Sequence, residues 1–249
     1  MRIMWQIIKH TIQQVRMDKT FRVLLRSFFV GLAVVVMLSF LVLNQQEYVF
    51  MTFVISLVEL LVFLRILFAV SKRYTTHKDK KFFTLYHIHW ISPSQIYTAT
   101  TGGYLLIVWW MYAVILITTS IVAAILGIFT LTLIVAILAS MLKMVVMLIT
   151  MLVLSVIVRP LLAIVWTVVI YVLAHSTWFI YQLTETTQSY AISILYKGLY
   201  IVLPPLDYLS YVDQYLQNTI LSFSVVMHIV FYITIIWMIW YSILKKKFI

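Results

Sequence analysis

Cysteine is absent from the 249 residues, and with it go disulfides, thiolate zinc sites and cysteine nucleophiles. Glycine is scarce: Gly31, Gly102, Gly103, Gly127 and Gly198 are the only five. None precedes a lysine, so neither the phosphate-cradling pattern G-x-x-x-x-G-K-S/T nor the dinucleotide turn G-x-G-x-x-G can be written. The chain therefore cannot bind and hydrolyse ATP by either route. Acids are few as well, seven Asp and Glu against 18 Lys and Arg, for a formal charge of +11. Charged residues of all kinds make up 10% of the chain and apolar residues 64%, against roughly a quarter and a half in a soluble domain. No soluble core uses that much apolar surface, and the mean hydropathy of +1.08 agrees.

What is present is a series of apolar runs long enough for a bilayer, which takes about 20 residues per helical crossing. The pattern predicts an all-α membrane protein with six transmembrane helices, an N-terminal interfacial helix, an inner coupling loop and an outer re-entrant hairpin. Residues 1–21 place Met4, Ile7, Ile8, Ile12 and Val15 at helical spacing opposite Lys9, His10, Gln13, Gln14 and Arg16, the pattern of a helix lying in the interface. No short basic region followed by a compact apolar one opens the chain, so no cleaved signal is expected. The spans are read at 22–43, 49–70, 104–126, 131–158, 161–181 and 220–244. A tight turn at Gly127 joins the third and fourth, and Arg159-Pro160 separates the fourth from the fifth, because proline suits the first turn of a helix.

Six crossings put both termini on one side. With the termini inside, 15 of the 18 basic residues fall on the inner face and only Lys197 lies in an outer loop, which is the positive-inside distribution. The expected location is a cytoplasmic membrane with both termini cytoplasmic. The net charge is then a sidedness, and a nucleic-acid partner is not expected. The outer segment 182–219 contains AISILYKGLYIVL, too short to cross and too apolar for a free loop. It reads as a re-entrant or surface helix ended by Pro204-Pro205, then a second piece with Asp207 at its N-cap, or else as interfacial padding between two spans.

This order of elements resembles the membrane subunit of type-2 ABC transporters, in particular the permeases grouped with multicopper-enzyme maturation. IIKHTIQQVRMDKTFRVLLRSFFVGLAVVV is similar to that family's amphipathic helix and basic elbow. VSKRYTTHKDKKFFTLYHIHWISPSQIYTATTGGYLLIV is similar to its inner loop. LSVIVRPLLAIVWTVVIYVLAHST and LYIVLPPLDYLSYV are similar to its fifth span and outer element, with Ala174 where the family often has Gly before the histidine. The resemblance implies a permease subunit of an ATP-driven exporter with no chemistry of its own. It would pair with a second permease subunit, identical or paralogous, around a central path, and be driven by a cytoplasmic ATPase subunit that holds the ATP and Mg.

In the inner segment 71–103, Lys72, Arg73, Lys78, Lys80 and Lys81 supply charge for steering such a partner, and Phe82, Phe83 and Trp90 supply apolar anchors. The same residues also suit a basic loop that attracts lipid. Two further readings stay open: a haem-exporter-like ABC permease, and a non-transporting membrane scaffold that recruits a cytoplasmic partner.

Two charges stand in mid-span, Glu59 in the second and Lys143 in the fourth. Charges at that depth face a protein interior or a water-filled cavity and commonly pair, so a Glu59–Lys143 pair is one reading, beside a snorkelling Lys143 and a protonated Glu59. Arg65 lies within about two turns of the inner boundary and can snorkel. His175 and His228 are placed to hydrogen-bond across helices. His87 and His89 are two apart with no carboxylate beside them, and neither H-E-x-x-H nor G-x-S-x-G occurs. No catalytic, cofactor-binding or metal site is expected in the chain.

Overall fold

A computed structural model describes residues 2–41, 46–77, 93–176, 192–195, 197–198, 203–204, 206 and 223–248. Most of these residues lie in seven helices: α1 (Arg2–Met17), α2 (Lys19–Leu41), α3 (Gln46–His77), α4 (Pro93–Ile125), α5 (Leu131–Ile157), α6 (Pro160–His175) and α7 (Phe223–Phe248). Among the described residues there is no strand.

Among the described residues four helices are long and apolar enough to cross a membrane, with their apolar stretches at Lys19–Leu41, Gln46–Val70, Thr98–Ile125 and Leu131–Ile157. The apolar stretches described in α6 and α7, Leu161–His175 and Ile229–Ile239, are shorter. At 1.5 Å per residue α6 is about 24 Å long, less than the roughly 30 Å of bilayer hydrocarbon.

The ends of the helices follow from local chemistry. Asp18 separates α1 from α2 and caps α2: its Oδ1 accepts the Thr20 amide at 3.3 Å and its carbonyl accepts the Phe21 amide at 3.2 Å. This satisfies donors that a helix N-terminus leaves open. α4 closes on Gly127, whose φ of +72° suits a residue without Cβ. The Gly127 amide bonds to the Ala124 carbonyl at 3.1 Å and the Ile128 amide to the Ala123 carbonyl at 3.0 Å, the paired bonds of a Schellman ending. Pro160 opens α6 behind an extended Arg159.

α4 starts at Pro93, ahead of the residue 104 expected from sequence. The segment 71–103 is accordingly helical at both ends, with 71–77 continuing α3 and 93–103 opening α4.

α5 is the centre of the bundle. It packs against α3, α4, α6 and α7, and from Met144 to Val153 every side chain except Val145 is buried. A helix apolar on all sides belongs in such a place. α2 is peripheral: it lays Phe21, Phe28, Leu32, Val35 and Ser39 inward against α3 and leaves its other face open. Three buried hydroxyls on the apolar helices are satisfied by their own backbone. Thr119 donates to the Ile115 carbonyl, Thr150 to that of Val146 and Thr167 to that of Ala163, at 2.6 to 2.9 Å, as an apolar solvent requires. Tyr112 and Ser140, by contrast, bond to each other across α4 and α5 at 2.8 Å.

α1 packs on the opening turns of α4, with Ile7 against Ile96 and Ala99. The approach is close. A Cβ placed on Gly103 would stand 2.8 Å from the Cβ of the fully buried Thr11. Trp5, Gln6, Lys9, His10 and Gln13 face outward.

Candidate functional site

The bundle holds one charged network at mid-depth. Glu59 sits near the middle of the apolar stretch of α3 and Lys143 near the middle of α5, 8% and 2% exposed. Lys143 Nζ donates to Glu59 Oε1 at 2.8 Å. α6 runs back along α5 and brings two more groups. Tyr171 Oη donates to Glu59 Oε2 at 3.3 Å, and His175 Nε2 lies 3.3 Å from Lys143 Nζ. The carboxylate thus receives a donor on each oxygen, and the ammonium bridges the carboxylate and the imidazole.

The histidine's state follows from its partners. Nδ1 lies 2.9 Å from the Tyr171 carbonyl, which only accepts, so Nδ1 carries the proton. In the neutral ring Nε2 is then an acceptor and takes a hydrogen from the Lys143 ammonium. With Glu59 ionised, Lys143 protonated and His175 neutral, the four groups sum to zero charge with complementary donors and acceptors. That is how a charged pair becomes tolerable where an isolated charge costs roughly 2.5–3.5 kcal/mol.

Two further features hold the arrangement. α6 ends at His175, so the negative end of its dipole lies beside the ammonium. Tyr171 is fixed by stacking on Phe63 at a ring separation of 4.4 Å and by the His175 ring at 4.2 Å.

A second polar contact ties α3 to the α1–α2 elbow. Arg65 is 3% exposed and does not snorkel. Its Nη1 donates to Asp18 Oδ2 at 3.3 Å and to Thr20 Oγ1 at 2.7 Å, while its guanidinium lies 5.4 Å from the centre of the Phe21 ring. Burial on its own would raise the Asp18 carboxyl. The hydrogen bonds from the Thr20 hydroxyl and amide and from Arg65 outweigh it and bring the group from 3.8 down to about 2. Nearby, Tyr104 Oη donates to the Ala69 carbonyl at 3.1 Å and fastens α4 to α3.

Of the residues singled out from sequence, Glu59, Lys143 and His175 come together. His228 lies on α7 and Lys72 and Arg73 on α3, but their side chains are outside the described residues. Lys78, Lys80, Lys81, Phe82, Phe83 and Trp90 of the inner segment, and Pro205 and Asp207 of the outer one, lie wholly outside them; Pro204 is described and buried.

One participant, Tyr171, and one pairing, Arg65 with Asp18, are not apparent from the sequence alone. Tyr171 stands four residues before His175, one helical turn away and so on the same face, which was a usable signal. Arg65 meets Asp18 across 47 positions, and no local pattern announces that. Among the described residues no group of three or more His, Cys, Asp or Glu is placed to hold a metal ion. Comparison with known proteins returns no matching family model, no matching curated sequence and no matching solved structure.

Proposed function

We propose that the chain is the permease subunit of an ATP-driven ABC exporter in a prokaryotic cytoplasmic membrane. The observation that carries the reading is the Glu59–Lys143–His175 network: an uncharged-in-sum but strongly polar joint among α3, α5 and α6 inside an apolar bundle. Ionisable groups at such depth mark transport proteins more than inert anchors. The absence of any phosphate-binding loop fits a subunit whose energy comes from a separate ATPase, which would carry the ATP and Mg.

In this reading α6 and α7 are the fifth and sixth crossings, α1 lies in the interface, and 182–219 forms the outer hairpin. Both termini and the basic segment 71–103 are cytoplasmic. A second permease subunit completes the central path. Phe82, Phe83 and Trp90 seat in the ATPase, with Lys72, Arg73, Lys78, Lys80 and Lys81 steering it.

Affinity purification of the tagged chain from its native membrane tests the assembly. The expected complex contains a nucleotide-hydrolysing subunit with a phosphate loop and two permease subunits by native mass. A chain recovered alone, or with partners that hold no phosphate loop, contradicts it and favours the scaffold reading.

A further inference from the structure

The open face of α2 has the layout of a phospholipid. Lys19, Arg22 and Arg26 are exposed and follow one another at three- and four-residue spacing, so they form one stripe along the helix. At 1.5 Å per residue the stripe is about 10 Å long, comparable with the 5–8 Å headgroup layer on each side of a bilayer. The same face continues with Val30, Met37 and Leu41, at 66%, 70% and 77% exposure, over about 17 Å of apolar helix. It lies opposite the residues that α2 buries against α3.

The elbow makes this face cationic without opposition. Asp18 is the only acid in residues 1–46, and its carboxylate is held by Arg65 and Thr20. Arg65 thus screens the one negative charge that would oppose an anionic headgroup. What borders the charges decides between a lipid and a soluble protein as occupant. Arg26 is followed directly by exposed Phe29, Val30 and Val34, so the charges border an apolar surface of the kind that acyl chains cover and a soluble protein does not.

We propose that this face of α2 binds an anionic phospholipid of the leaflet on the elbow side, with Lys19, Arg22 and Arg26 on the phosphate and the apolar stripe against the acyl chains. The inference is independent of the transport reading.

Native mass spectrometry of the purified chain with equimolar phosphatidylglycerol and phosphatidylcholine is the test. The parent is expected to retain the anionic lipid preferentially, with the preference falling about fivefold for each charge removed in Lys19→Gln, Arg22→Gln and Arg26→Gln. Arg22→Lys with Arg26→Lys should keep it, as should Lys197→Gln. Higher salt should weaken it in the parent, a reading that stands even where a neutralised variant fails to fold. Equal retention of both lipids, a preference insensitive to salt, or one unchanged in the triple variant overturns the proposal. A triple variant that keeps the lipid but loses a co-purifying protein assigns the face to that protein, and also overturns it.

Discussion

Lys143 and Glu59 stand 84 positions apart in the chain and meet at 2.8 Å in the middle of the bundle. The contact joins α5, the central helix, to α3, and through Tyr171 and His175 it takes in α6 as well. Its value to the fold is conditional, because each charge is tolerable only while the other is present.

A double-mutant cycle measures that condition. Lys143→Met alone and Glu59→Gln alone are each expected to destabilise the protein by about 3–5 kcal/mol, since each leaves a buried group without its partner. The double variant should cost clearly less than the two singles together. Thermal unfolding in one detergent gives all four corners, and simple additivity would show that the two groups are not coupled.

The Asp18–Arg65 contact carries a pH signature. The carboxyl sits at about 2 in the folded protein against an ordinary 3.8, so its contribution to stability is complete above about pH 4 and disappears as pH falls through 2. Asp18→Asn lacks that contribution at every pH. The gap in thermal midpoint between parent and variant should be open at pH 6, narrow below pH 4 and close near pH 2. A gap that stays constant would contradict the assignment.

Gly103 is needed for the seat of α1. A methyl group there would press on Thr11 at 2.8 Å, so Gly103→Ala is expected to cost about 1–3 kcal/mol and to raise hydrogen exchange in α1. Gly198→Ala, where nothing lies within 4 Å of the added atom, serves as the control and should leave α1 unchanged.

The lack of cysteine makes topology directly measurable with single introduced thiols. Lys197→Cys should react with a membrane-impermeant maleimide in intact cells, and Lys78→Cys only after permeabilisation. The reverse pattern would invert the orientation.

The sequence showed those parts of the structure that a single helix must solve for itself. Glu59 and Lys143 were visible as single charges in apolar runs, which tend to face a protein interior; that each is the other's partner follows only from the packing of α3 on α5. Gly127 and Pro160 were visible because their backbone preferences act locally. Arg65 was misread because its partner sits on another element: near the helix end it looked free to reach water, and only the packing of the elbow against α3 encloses it. The start of α4 was missed for the same kind of reason. The stretch PSQIYTATTGG is rich in residues that weaken isolated helices, but contact with α1 through Ile96, Ala99 and Gly103 offsets that weakness, and Gly103 is small where α1 comes close.

As the proposed membrane half of an ATP-driven machine, the chain would be coupled to its ATPase through the inner segment. ATP hydrolysis by the complex in proteoliposomes, measured with the parent and with Phe82, Phe83 and Trp90 replaced together by Ala, tests it most directly. Mg-dependent hydrolysis that co-elutes with the parent chain is expected, with loss of the ATPase or of its coupling in the variant. Absence of hydrolysis from the parent complex, or full association and activity in the variant, would contradict it.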